Sequence, residues 1–178
     1  MRLSLRLHPD CRCDAVISID MQAERTDPAS LMLNYRVTGD IGALLLPSIP
    51  SPERADGLWQ HTCFEAFVRG GGGGYCEYNF SPSTQWAAYV FDEYRQGLKN
   101  ADTSPPAIAI QVGERELELR ATIAIPSKAD APWRLALSAV IEEASGRKSY
   151  WALAHPPGKP DFHHPDCFVA ELARPSPS

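Results

Sequence analysis

Alternation of apolar and polar residues dominates the chain. Leu3, Leu5 and Leu7 alternate with Arg2, Ser4 and Arg6. Ala15, Ile17, Ile19 and Met21 alternate with Val16, Ser18, Asp20 and Gln22, and Leu31, Leu33, Tyr35 and Val37 with Met32, Asn34 and Arg36. Leu117, Leu119, Ala121, Ile123 and Ile125 form a further set, and Trp133, Leu135, Leu137, Ala139 and Ile141 another. A period of two reads as a strand with one buried face. Thr38-Gly39-Asp40, Val112-Gly113-Glu114 and Ser145-Gly146-Arg147 separate apolar runs, and the last two predict hairpin turns. Prolines cluster at 47–52, 105–106, 156–160 and 175–177 and leave few windows for helices. One short helix is predicted between Phe91 and Asn100, where "FDEYRQGLKN" carries helix formers and closes on Gly and Asn. About ten short antiparallel strands predict an all-β protein, a β-sandwich.

The stretch "LWQHTCFEAFVRGGGGGYCEYNFSPSTQW" carries the densest pattern. Phe64, Ala66 and Val68 share a face, as do Cys76, Tyr78 and Phe80. If the glycines close a hairpin, matching these faces sets Phe64 opposite Phe80, Ala66 opposite Tyr78 and Val68 opposite Cys76. A slip of one residue would set aromatics against carboxylates. The other face then brings together Glu65 and Asn79, and Phe67 and Glu77, with His61 and Cys63 further along. Carboxylate and amide groups beside aromatic rings suit a sugar, whose hydroxyls need acceptors and donors and whose C–H face needs a flat ring. Trp59, Tyr75 and Trp86 are the nearby rings. A plain solvated face is the alternative, because antiparallel sheets commonly wet one side.

Length and composition narrow the options. The 178 residues suit one domain, expected over 1–174, with a loose tail at 175–178. A net charge of −5 without a basic run argues against nucleic acid or an anionic membrane and fits a neutral or cationic small ligand. No stretch reaches the roughly 20 apolar residues of a membrane span. The start "MRLSLRLHPDCRCD" lacks the apolar core and cleavage site of an export signal, so the expected location is cytoplasmic. Cys11, Cys13, Cys63, Cys76 and Cys167 are an odd number, as expected of free thiols in a reducing compartment.

"GLWQHTCFEAFV", "YCEYNFSPSTQWAAYVFDEYR" and "YWALAHPPGKPDFHHPDCFVAEL" together resemble DOMON-like domains related to the family 9 carbohydrate-binding modules. The resemblance runs over about 58–172 and more weakly over the N-terminal strands. It implies a sandwich of immunoglobulin-like or jelly-roll type that binds a sugar end without catalysis. Trp59 and Glu65 match its first strand motif, and Glu77 and Asn79 its second. Trp86, Trp151 and Phe162 are candidates for a second stacking ring. The ligand set expected is therefore Trp59, His61, Glu65, Glu77, Asn79, Trp86 and Trp151, with no cofactor and no metal.

The residues also admit other chemistries. DOMON-type haem binding, which the resemblance also implies, would draw on Met21, Met32, His61, His155, His163 or His164. A glycoside hydrolase would use Glu65 and Glu77, diagonal neighbours at roughly 7 Å between backbone positions. Zinc would need His163, His164 and Cys167, with His61 joining from the hairpin. Cys63 lies two residues from His61, which is too far along a strand for direct proton transfer.

Overall fold

Strands form where the period-two pattern runs. The computed structural model describes residues 1–47, 52–71, 73–125 and 131–174; the tail expected at 175–178 lies outside them. Twelve strands are present among these residues: β1 (Arg2–Leu7), β2 (Val16–Asp27), β3 (Ser30–Gly39), β4 (Cys63–Arg69), β5 (Tyr75–Phe80), β6 (Trp86–Phe91), β7 (Lys99–Asn100), β8 (Ala107–Val112), β9 (Glu116–Ala124), β10 (Trp133–Glu142), β11 (Lys148–Ala152) and β12 (Ala170–Leu172). Every ladder is antiparallel.

One layer runs β7-β6-β5-β4-β10-β11 and the other β1-β2-β3-β9-β8. β1 joins them, since Arg2–Leu5 pairs with β2 while Arg6 and Leu7 pair with β11. The inner faces meet in one apolar core, to which Phe64, Phe80, Leu137 and Trp151 contribute from the first layer and Ile19, Leu33, Tyr35 and Leu119 from the second. This is an antiparallel β-sandwich, as the pattern predicts. The layers are also tied by polar groups. The Tyr35 hydroxyl donates to the Glu65 carbonyl at 2.7 Å, and the Tyr78 hydroxyl to the Ala124 carbonyl at 2.9 Å.

Two local expectations change. Ile17 is 70% exposed while Val16 and Ile19 are buried, because a bulge between Val16 and Ser18 shifts the phase of β2. The helix expected over Phe91–Asn100 is absent. Instead the chain turns tightly through Asp92–Gln96 and returns along β6 as β7. Arg95 and Gly97 both take left-handed backbone there, with φ of 55° and 70°. Pairing onto an open strand edge wins over a ten-residue helix, which is marginal by itself. The last glycine before β5 is held by close packing. A Cβ on Gly74 would lie 2.1 Å from the Phe91 carbonyl oxygen, so β6 can approach only a glycine.

One topological detail shapes the surface. β10 pairs through Ser138–Glu142 with β11 and through Trp133–Leu135 with β12, on the same side. The two short strands therefore share one line, and residues 153–169 leave it as an excursion. That excursion folds over the outer face of the β4–β5–β10 layer, where Phe67, Tyr75, Phe91, Ala136, Cys167 and Phe168 form a second apolar cluster.

Candidate functional site

The hairpin register is the one that face-matching requires. Phe64 faces Phe80, Ala66 faces Tyr78, and Val68 faces Cys76. Glu65, Phe67, Glu77 and Asn79 consequently share the outer face. Two cross-strand rows result. One reads Ser138, Glu65, Asn79, Ala87 and the next Ala136, Phe67, Glu77, Tyr89. This face is not the wet side of a sheet. Glu65 is only 3% exposed and Glu77 6%, because the 153–169 excursion and the turn before β7 close over it.

Between these coverings lies a cleft of about 1060 Å³. Glu65, Glu77, Phe67 and Phe91 belong to its lining, with Tyr89, Arg95 and Asn100 from the β6–β7 side. Tyr150, Lys159, Phe162 and His163 line it from the excursion side, and Trp59 comes from the short turn Leu58–Gln60. The volume is at the upper end of small-molecule sites.

The acids on this face are held by neutral partners. Ser138 Oγ donates to Glu65 Oε2 at 3.0 Å, and Asn79 Nδ2 donates to Glu77 Oε1 at 2.8 Å. Burial, and then the neighbouring Glu77 charge, push the Glu65 carboxyl up to about 8. Burial raises Glu77 too, against the opposing pull of Asn79 and Arg95. At neutral pH Glu65 is thus protonated and offers a donor, beside the Oε2 of Glu77. His163 Nε2 stands 3.8 Å from Glu77 Oε2. Its ring is held neutral, since burial, and then the Arg95 charge, press it down to about 4. Its Nδ1 is bonded to the Tyr75 hydroxyl at 2.8 Å. Asp161 clasps Arg95 at 2.7 Å and also accepts from the Tyr94 hydroxyl, fixing the turn to the excursion.

No family model matches the chain, and no curated protein matches it. Solved structures do. A protein from Bacteroides uniformis, provisionally assigned as carbohydrate-binding, superposes with a TM-score of 0.67 at 15% identity, over 94% of this chain and 84% of its own. A family 9 carbohydrate-binding module from Caldicellulosiruptor kristjanssonii, in complex with glucose, gives 0.58 at 12% identity over 95% and 81%. A module of the same family and organism, in complex with cellotriose, gives 0.56 at 11% identity over 89% and 74%. The fold is that of the family 9 carbohydrate-binding modules.

Within this sandwich the sequence-predicted residues divide. Trp59, Glu65 and Glu77 line the cleft, with Phe162 opposite the β6–β7 side. Asn79 sits behind, buried, orienting Glu77 and lying 3.7 Å from the Cys63 sulfur. His61 is exposed outside the cleft and pairs with Glu142 at 2.7 Å. Trp86 and Trp151 do not reach the cleft. Trp86 faces Phe80 and Trp151 faces Ala139, both on the inner face, so parity commits them to the core. Tyr75 is buried and stacked on Phe91 at 4.8 Å. Met21 is core, on the far side of the layer. Among the described residues no three His, Cys, Asp or Glu side chains cluster as metal ligands. Cys63 is a buried thiol whose ionisation burial opposes, and after it the Glu65 charge.

Sequence reasoning missed Arg95, Tyr89, Tyr150 and Lys159. Arg95 was obscured by the helix expectation. Tyr89 is legible once Ala87, Tyr89 and Phe91 are read as one face of β6.

Proposed function

We propose that this protein binds carbohydrate in the cleft over β4, β5 and β6, without catalysis. The reading rests on one observation above the rest: buried carboxyls and aromatic rings, among them the exposed Trp59, converge on a single cleft. Trp59 is half exposed at its margin, and Tyr150 and Phe162 pack near each other at 6.1 Å between ring centres. Such rings cover the C–H face of a pyranose. Protonated Glu65 gives a donor and Glu77 an acceptor for adjacent hydroxyls. The volume accommodates more than one sugar ring. The fold's neighbours, solved with glucose and with cellotriose, support the same reading.

Calorimetric or NMR titration with glucose, cellobiose, cellotriose and xylo-oligosaccharides tests it. The expected result is binding in the micromolar to millimolar range, weakened by Trp59→Ala and by Glu77→Gln. Dissociation constants all above about 10 mM, an energy below about 3 kcal/mol, would remove the proposal.

A further inference from the structure

The floor of the cleft holds two acids, and among the described residues no lysine or arginine bonds either carboxyl. Glu65 is almost fully buried and spends Oε2 on Ser138; its Oε1 accepts from no described residue. Glu77 spends Oε1 on Asn79 and presents Oε2 towards His163. His163 cannot serve as counterion, for its Nδ1 is shared with Tyr75 and its ring stays neutral. The cleft's cations stand apart from the carboxyls, and Arg95 acts on Glu77 only through space. Arg95 is held by Asp161, Lys99 pairs with Asp92 at 3.2 Å, and Lys159 stands exposed at the rim. With Glu65 protonated, Glu77 is the acid of this floor that a positive charge would match.

The ring arrangement narrows what supplies that charge. In the cross-strand row Glu77 lies between Phe67 and Tyr89, and both rings line the cleft with it. Calcium or magnesium needs six or more oxygens, and among the described residues no three His, Cys, Asp or Glu side chains gather to hold a metal. An ammonium needs one or two acceptors and gains from neighbouring aromatic faces. Resting on the carbohydrate reading, we infer that the preferred ligand is a sugar carrying a primary ammonium, a hexosamine unit whose charged amine seats over Glu77 between Phe67 and Tyr89.

Titration of the intact protein at pH 7 with glucosamine, glucose, N-acetylglucosamine and cyclohexylamine tests this. Glucosamine should bind about tenfold or more tightly than glucose, the value of one charge-assisted hydrogen bond. N-acetylglucosamine, with its charge removed, should fall back to the glucose level or below. In Glu77→Gln the ratio of glucosamine to glucose affinity should drop to about one. Equal wild-type affinities for glucosamine and glucose, or tighter N-acetylglucosamine, overturn the inference and leave the carbohydrate reading standing. Cyclohexylamine binding as tightly as glucosamine also overturns it, because the hydroxyls would then add nothing. Failure of all three sugars with retained binding of cellotriose rejects the inference alone; failure of cellotriose as well rejects both.

Discussion

Of the four tryptophans, Trp86, Trp133 and Trp151 point between the layers and Trp59 alone lines the cleft. Their chemistry is identical and their strand parity is not. Truncating Trp59 should therefore act on binding only. In Trp59→Ala we expect carbohydrate affinity to fall about tenfold while the thermal midpoint holds within a few degrees, since exposed side chains contribute about 0.5 kcal/mol or less to stability. Trp151→Ala should do the reverse, costing about 3–5 kcal/mol in denaturant unfolding through the cavity it leaves. Parity could be read from the sequence for Glu65, Glu77 and Asn79 because the two hairpin arms check each other. It could not be read for Trp86, whose phase depends on how the Ser81–Gln85 turn is closed, with Thr84 at φ 64°. Trp151 was equally ambiguous, because Tyr150 beside it is apolar too.

At the level of elements, the hairpin was legible to the residue, and its covering was not. Face-matching is a local rule with a single solution here. Nothing local in "AHPPGKPDFHHPDCFV" says that it arches back over a hairpin some 80 positions earlier; only the shared line of β11 and β12 explains it. The turn after β6 failed as a helix for a related reason, since the edge of β6 offers a partner that local propensity ignores. Its close contact with the glycine tip yields a direct test. Gly74→Ala drives a methyl into the Phe91 carbonyl, and we expect a loss on the order of 1–3 kcal/mol, measured by thermal or denaturant unfolding. Gly97→Ala should also destabilise, as left-handed backbone and the Asp92 carboxylate both oppose a side chain there.

For the whole molecule, the buried acid couples stability to pH. Glu65 gives up its proton near its ordinary 4.5 in the unfolded chain but holds it to about 8 in the fold. Raising the pH across that window therefore favours the unfolded chain. His163 acts in the opposite sense at lower pH. Its neutral ring contributes stability that is present above 6.5 and is lost as pH falls towards 4. We expect Glu65→Gln to be nearly neutral near pH 5 and to stabilise the protein by on the order of 1–3 kcal/mol at pH 8, read as the difference in unfolding midpoint between variant and parent. An unchanged difference between the two pH values would show that Glu65 titrates normally.

β10 carries β11 and β12 end to end along one edge, so its ladder resumes in register whatever the intervening sequence does. The segment that walls the cleft is thereby spliced into the architecture rather than woven through it. Substitutions and insertions in its exposed part, Pro157–Lys159, should reshape the wall of the cleft at small cost to folding, whereas Cys167 and Phe168 stay fixed by the second apolar cluster.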